Sequence, residues 1–201
     1  TAKRDLPEWQ SQPFGRDDIA AQPSGSGTPL ILFVDTFNKY FEPENLRAAL
    51  RVLTAAGYDV FSPAIAEKRP LCCGRTYLST GLVDKARAEA TRLCNAFAPF
   101  VEQGVSIVGL EPSCLLALRD EVPALLADES ATKIAAASLT FEELLVRDKP
   151  DLPLAQADGK VLLHGHCHQK AFDVVKPVQA LLGDVAGFEV ELVETSCCGM
   201  A

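Results

Sequence analysis

The feature that most constrains the fold of this chain is a regular alternation of short apolar runs with longer amphipathic segments. Three apolar runs of strand length, LILFV, YDVFS and VSIVGL, occupy residues 30–34, 58–62 and 105–110. Between the first two, Pro43 opens a segment with leucines at helical spacing, and Gly57 supplies its C-cap. Strands that alternate with helices in this way predict an α/β fold with a parallel sheet.

The second part of the chain repeats the pattern of the first. An offset of 130 residues places Leu32 on Leu162, and the run AGYDV at 56–60 on AGFEV at 186–190. The fold is therefore predicted to contain two pseudo-repeated βαβ halves of parallel sheet, with the second truncated at the C-terminus. In this alignment Cys167 of the second half falls on Phe37 of the first.

Composition and pattern together divide the chain into four parts. The first 28 residues are rich in Pro, Gly, Ser and Gln and lack periodicity, which is typical of an interdomain linker. A connecting helix is predicted to begin at Thr140, which can form a capping box with Glu143. The predicted divisions are a linker at 1–28, a first half at 29–135, a connecting helix and loop at 136–158, and an incomplete second half at 159–201.

Charge and hydropathy exclude several classes of function. The formal net charge of -8 disfavours a surface for nucleic acid or anionic lipid, which needs clustered Lys and Arg. No apolar run approaches the roughly 18 residues that span a bilayer, and the first ten residues do not resemble a signal peptide. We therefore expect a cytoplasmic protein, and peripheral association with the inner face of the membrane stays open. Nucleotide-binding and serine-hydrolase motifs are absent from the sequence.

Seven cysteines dominate the chemistry that the chain can perform. Six of them follow predicted strands, and the carboxyl ends of parallel strands are where such sheets assemble ligand sites. Two Cys-Cys-Gly loops pair soft thiolates with a glycine that permits close backbone approach, which favours an iron-sulfur cluster or zinc. Cys94 lies at helical spacing with other apolar residues and is assigned to the core. The predicted cofactor and metal ligands are Cys72, Cys73, Cys114, Cys167, Cys197 and Cys198.

Three histidines surround Cys167 in the run HGHCHQ. If this run is extended, His164, His166 and His168 share one side and Cys167 points to the other. Imidazole could bind a metal, tune a cluster by hydrogen bonding, or be a satisfied buried group, and His166 and His168 are kept as candidate metal ligands. Cysteine-histidine nucleophilic catalysis through Cys167 would leave the two Cys-Cys-Gly loops unexplained.

These motifs give the chain a family resemblance from Pro29 to Ala201. The runs RPLCCGRTYLSTGLVDKAR, GLEPSCLLALRDE, LLHGHCHQKAF and ETSCCGMA resemble the CCG, or cysteine-rich, domains of FAD-linked oxidases and of D-lactate dehydrogenase and glycolate oxidase iron-sulfur proteins. The CCG-containing polypeptide of heterodisulfide reductase is a related protein. The resemblance implies one Cys, a Cys pair and a closing Cys-x-x-Cys in each motif. This chain departs from that pattern at Phe37 and at Glu111, and its second half lacks the closing cysteines.

The resemblance also implies a function. A flavin would take electrons from a D-2-hydroxy acid of the lactate, glycolate or 2-hydroxyglutarate class, and iron-sulfur centres of 4Fe-4S type would pass them to a quinone, a cytochrome or another redox protein. FAD would lie on a separate domain, and flavin and ferredoxin-like domains would be the partners. This segment itself would carry no catalytic residue. The alternative is a zinc-binding structural or docking domain of the same type of enzyme.

Overall fold

The first half of the chain is built on a four-stranded parallel sheet. The computed structural model of the 201-residue chain describes residues 7–22, 25–63, 69–152 and 157–194. The strands of the first sheet are β1 (Thr28–Phe33), β2 (Tyr58–Phe61), β3 (Ser106–Gly109) and β4 (Ser138–Thr140), in the spatial order β2-β1-β3-β4. All three neighbouring pairs are parallel, so their carboxyl ends meet at one edge.

Helices cover both faces of this sheet. In chain order they are α1 (Arg16–Ala20), α2 (Thr36–Tyr40), α3 (Pro43–Ala55), α4 (Arg75–Ser79), α5 (Val83–Val101), α6 (Pro112–Leu116), α7 (Glu121–Leu126), α8 (Glu129–Ala137) and α9 (Phe141–Asp148). Alternate residues of β1 face opposite layers, as the period of a strand requires. Leu30 and Leu32 belong to the core cluster that includes the leucines of α3, and Ile31 and Phe33 belong to the cluster that includes Leu93 of α5.

The second half contributes a two-stranded parallel sheet. Its strands are β5 (Lys160–Leu163) and β6 (Glu189–Leu192), and its helices are α10 (Cys167–Ala171) and α11 (Val175–Ala180), with a π-helical turn at Leu181–Val185. The predicted α/β architecture with two parallel-sheet halves is thus confirmed. The two halves contact each other through two pairs of helices: α10 packs against α6, and α11 packs against α9.

The segment before β1 packs onto the first half. Phe14 is only 1% exposed and lies in the core cluster beside the leucines of α3. The Gln10 N–H donates to the Tyr40 carbonyl at 2.8 Å, and Arg47 forms an ion pair with Asp18 at 2.7 Å. Burial of this one aromatic ring explains why a segment of loop-like composition is held in place.

The region predicted to connect the halves also belongs to the first sheet. The helix α9 begins where expected, with Thr140 and Glu143 forming the capping box. However, β4 directly precedes it and pairs with β3, and Leu144 of α9 is fully buried in the core of the first half. The three-residue strand β4 was too short to stand out as an apolar run. Packing around the first sheet therefore continues through β4 into α9.

No helix within the described residues is long and apolar enough to cross a membrane.

Candidate metal-cluster site

The first Cys-Cys-Gly loop is fixed by its glycine and by a buried ion-pair network. Gly74 is the N-cap of α4 at a φ of 80°, and a Cβ there would lie 2.9 Å from the Ala86 carbonyl oxygen. Only glycine adopts this backbone and this close approach without strain. Arg69, just before the loop, forms an ion pair with buried Glu89 at 2.5 Å, and Arg92 forms a second ion pair with Glu89 at 2.6 Å. The positions of the two thiols are therefore set by rigid neighbours.

Three thiols converge at the carboxyl edge of the first sheet. Cys72 and Cys73 follow β2, Cys114 follows β3 within α6, and the Cys73 thiol hydrogen-bonds with both of the others. The Gly74 N–H donates to the Cys72 Sγ at 3.4 Å, and the backbone of Arg75 hydrogen-bonds with Cys73. Backbone N–H donors of this kind stabilise thiolates in metal sites. The predicted convergence of these three cysteines is observed.

Two of these thiols, Cys72 and Cys73, have pKa values raised above that of a free thiol. Hydrogen bonding to Cys114 and burial raise the pKa of Cys73 to about 12. Hydrogen bonding to Cys73, together with burial, also raises the pKa of Cys72. Both Cys73 and Cys114 are under 9% exposed and belong to a hydrophobic core cluster. A soft metal entering here would have to displace protons.

Carboxylates beside the thiols act as helix caps. Glu111, at the position where the resemblance implies a cysteine, accepts hydrogen bonds from the backbone N–H of Ser113 at 3.1 Å and from its hydroxyl. Asp35 caps α2 by accepting from the Asn38 N–H at 2.9 Å and the Asn38 side-chain amide at 2.8 Å. Burial raises the pKa of Asp35, and the charge of Glu111 adds to the rise. Asp35 and Glu111 cap the helices that follow the neighbouring strands β1 and β3, so the two capping loops lie at the same edge of the sheet.

The histidine run forms a helix start instead of an extended strand. His166 is the N-cap of α10, its Nδ1 accepts from the His168 N–H at 3.2 Å, and the two rings stack with centroids 5.2 Å apart. The His168 Nδ1 is buried and has no hydrogen-bond partner among the described residues. Burial and the neighbouring positive charge of Arg75 lower the pKa of His168. The alternation expected for an extended run is therefore not observed.

Cys167 is the first residue of α10 and is exposed. Because α10 packs against α6, the strand end of the second half lies beside the helix that carries Cys114. A cavity of about 260 Å³ lies at the carboxyl end of β6, lined by Lys170, Val175, Leu192, Val193 and Glu194. Cys197 and Cys198 lie outside the described residues, so their predicted role as ligands stays a prediction.

The structure corrects the alignment of the two halves. Asp35 and His166 are N-caps of equivalent five-residue helices, so Thr36 corresponds to Cys167 and Phe37 to His168, an offset of 131 residues. A signal in the sequence could have revealed this, because Lys39 and Phe41 then match Lys170 and Phe172. The offset is 130 at β2 and β6. The first half therefore has one more residue between β1 and β2 than the second half has between β5 and β6.

The donor atoms of the first half are of the type that binds a soft metal, but the set of ligands is incomplete. Three thiols are present, whereas Glu111 is engaged as a cap and Thr36 carries a hydroxyl. Within residues 7–22, 25–63, 69–152 and 157–194, no group of three or more His, Cys, Asp or Glu side chains is arranged to hold a metal ion. The first half, as folded, does not fit a five-cysteine cluster. Cys94 lies in the core, as predicted, and burial raises its pKa to about 12.

Comparison with known proteins supplies the context for these thiols. No family model matches the chain. It is 28% identical over 205 residues to one of the subunits of anaerobic glycerol-3-phosphate dehydrogenase of Escherichia coli K12, across 99% of this chain and 50% of that protein. It is 26% identical over 179 residues to lactate utilization protein A 1 of Bacillus mycoides, across 84% of this chain and 69% of that protein. The predicted resemblance to CCG-type oxidoreductase proteins is confirmed.

A third relative is a much longer protein. The chain is 26% identical over 175 residues to D-2-hydroxyglutarate dehydrogenase of Pseudomonas putida, across 86% of this chain and 16% of that protein. The chain spans about half the length of the glycerol-3-phosphate dehydrogenase subunit that it matches. The chain is therefore similar to parts of dehydrogenase polypeptides of different length.

Proposed function

We propose that this chain is the iron-sulfur electron-transfer segment of a flavin-linked D-2-hydroxy-acid dehydrogenase. The observation that carries the proposal is the position of Cys167, which is exposed at the strand end of the second half on a helix that packs against α6, the helix that carries Cys114. Relatives named as a dehydrogenase, a dehydrogenase subunit and a lactate utilization protein support the redox setting. The substrate would be of the lactate, glycolate or 2-hydroxyglutarate class, oxidised on a separate flavin domain.

The ligands that we propose for a cluster of 4Fe-4S type centre on Cys167, Cys197 and Cys198. When bound, such a cluster would accept and release single electrons. The residues of this chain would hold it, shield it from water and set its potential through charge and hydrogen bonding. His166 and His168 lie beside Cys167, and their stacked rings would influence the polarity around the Cys167 thiol even if neither ring binds the metal.

The packing of α10 against α6 gives the first half a part in this site. The buried thiols Cys73 and Cys114 and the capped start of α6 would support the helix that carries the exposed Cys167. Rigid support keeps a redox centre from reorganising as its charge changes. A flavin domain and a ferredoxin-like domain would supply the electrons, and a quinone, a cytochrome or another redox protein would receive them.

One observation favours a zinc-binding docking domain as the second candidate. Three neighbouring thiols and a buried imidazole nitrogen without a partner among the described residues, the His168 Nδ1, are the donor types of a structural zinc site. In that case the metal would stabilise the contact between the halves and carry no electrons. The same cysteines would then be needed for folding only.

Replacing Cys197 in the uncut protein distinguishes the two functions. If the segment transfers electrons, Cys197→Ser abolishes reduction of an artificial acceptor by the hydroxy acid, whereas reduction of the flavin itself continues. If the segment is a zinc domain, the variant loses stability and zinc, and electron transfer per folded molecule is unchanged. Thr80→Ser, an exposed change away from the cysteines, is the matched control. Unchanged acceptor reduction by folded Cys197→Ser would overturn the electron-transfer proposal.

A further inference from the structure

We infer that the first half carries a degenerate copy of the cluster site, in which Thr36 stands where the second half has Cys167. The inference rests on the proposed function, and it excludes the first half as the holder of the cluster. Sequence comparison at an offset of 130 would instead name Phe37 as the lost ligand. The two assignments differ by one helical residue and therefore by about 100° around the helix.

Backbone hydrogen bonds establish the equivalence of α2 and α10. Each helix starts at a capping residue directly after the sheet edge and ends after five residues. The same two amide-to-carbonyl bonds occur in both helices with nearly the same length. They are Lys39 to Asp35 and Lys170 to His166, both at 2.9 Å, and Phe41 to Phe37 and Phe172 to His168, at 2.9 and 3.0 Å.

Strand register gives the same offset independently. Val60 and Val190 are equivalent, because each lies three residues after a glycine of positive φ, Gly57 or Gly187. In the first sheet Val60 pairs with Leu30, and in the second Val190 pairs with Val161. Leu30 and Val161 are therefore equivalent, which again sets the offset at 131 residues. Cys167 thus corresponds to Thr36 by two unrelated criteria.

The residues at the degenerate site cannot replace the missing ligands. A threonine hydroxyl is a poor ligand for the soft metals that thiolates select. Phe37 is 53% exposed, so its side chain does not occupy a closed ligand position. The carboxylate of Glu111 is held by Ser113. Of the three remaining thiols of the first half, Cys73 bonds to both Cys72 and Cys114, and Cys73 and Cys114 lie inside a hydrophobic cluster.

Restoring the lost thiol tests the assignment by gain of function. The test uses the chain with Cys167, Cys197 and Cys198 all changed to serine, so that only first-half thiols bind Co²⁺. Adding Thr36→Cys should tighten Co²⁺ binding about tenfold or more and produce thiolate-to-cobalt absorption, because a fourth thiolate completes a tetrahedral set. Phe37→Cys is the matched control and should give no gain. A gain with Phe37→Cys, or none with Thr36→Cys, would overturn the assignment.

Iron analysis of the uncut protein tests which half holds the cluster. Cys73→Ala and Cys114→Ala, checked for folding by circular dichroism, should keep the iron content of the unsubstituted protein, whereas Cys167→Ser and Cys198→Ser should lose it. Loss of iron from folded Cys73→Ala would overturn the inference but leave the proposed function standing. Absence of iron from the unsubstituted protein would overturn the proposed function, and the Co²⁺ result at Thr36 would then overturn or support the alignment on its own.

Discussion

At the scale of single residues, the Cys-Cys-Gly loop divides its tasks among three positions. Cys73 lies in the core and bonds to Cys114, Cys72 is half-buried at the surface, and Gly74 lets the chain turn into α4 against α5. Because a Cβ at Gly74 would meet the backbone of Ala86, the glycine is as important to the loop as the thiols.

Gly74→Ala should therefore destabilise the fold more than an otherwise similar change. Both Gly74 and Gly81 have positive φ, but only Gly74 faces a close backbone neighbour. We expect Gly81→Ala to cost about 1 kcal/mol from the left-handed backbone alone, and Gly74→Ala to cost about 2 to 4 kcal/mol because α5 must also shift. Urea denaturation followed by circular dichroism measures both. Equal costs for the two variants would show that the contact with Ala86 relaxes freely.

The described cysteines should differ in their reactivity in the metal-free chain. Cys167 is exposed, whereas Cys94 and Cys73 are buried and burial contributes to pKa values of about 12. Since the thiolate is the reacting form, a short pulse of iodoacetamide at pH 7.5 should modify Cys167 first. Peptide mass spectrometry measures the order, with a urea-unfolded sample as the control in which all sites react. Modification of Cys94 as fast as Cys167 would contradict the burial of Cys94.

Sequence reasoning located the thiols but misassigned the residue that replaces the strand-end cysteine. The cysteines are visible because their type and position after strands are unusual, and Cys94 is recognisable by its helical spacing. Thr36 was missed because a one-residue gain between β1 and β2 shifts the offset, and apolar strands such as LILF and VLLH match almost as well in either register. The matches of Lys39 and Phe41 with Lys170 and Phe172 are a sequence signal for the offset of 131, and helix capping and strand pairing in the structure resolve the register.

At the scale of elements, the segment before β1 shows how one side chain anchors a stretch without periodicity. Phe14 lies in the core cluster with the leucines of α3 and β1, while Trp9 contacts the Tyr40 ring edge to face and the Phe41 ring at a tilt, and is 67% exposed. Linker-like composition could not reveal this, because a single buried aromatic residue produces no periodic pattern. The strand alternation, in contrast, gave the correct class of fold because it recurs over many residues.

Phe14→Ala should be strongly destabilising, and Trp9→Ala should not. Removing a fully buried phenylalanine costs about 3 to 5 kcal/mol, whereas an exposed ring that only stacks contributes about 1 kcal/mol or less. Thermal or urea unfolding of both variants by circular dichroism measures the difference. Near-equal effects would mean that residues 10–20 do not pack as described.

The contact between β2 and α9 should give the stability a dependence on alkaline pH. Tyr58 donates a hydrogen bond to the Asp148 carboxylate, and burial together with this bond raises the pKa of Tyr58 to about 12. The folded state thus holds the proton more tightly than the unfolded state. The contribution is fully present below pH 10 and is lost as pH rises toward 12.

Tyr58→Phe isolates this contribution. The variant should be about 1 kcal/mol less stable at pH 7, and its difference from the unsubstituted chain should shrink between pH 10 and pH 12. Urea denaturation over this pH range is the measurement. Taking the difference in stability between the variant and the unsubstituted chain removes the contributions of other titrating groups. A difference that stays constant up to pH 12 would contradict the Tyr58–Asp148 bond.

At the scale of the whole molecule, the two halves share a design but differ in completeness. Ile31 of β1 is fully buried in the same core cluster as α5, whereas its counterpart Leu162 of β5 is 65% exposed. Only the first half has, within the described residues, both helical layers over its sheet. The strand-end cysteine and its flanking histidines lie in the second half, which we propose to be the redox-active half, with the first half as its support.

The measurement that most directly tests the electron-transfer proposal is iron and acid-labile sulfide analysis of the uncut protein, purified without oxygen, combined with electron paramagnetic resonance. We expect bound iron and sulfide in similar amounts, visible absorption, and a resonance signal that changes when the hydroxy acid is added and is lost in Cys197→Ser. Stoichiometric zinc with neither iron nor sulfide, after careful reconstitution, would contradict the account.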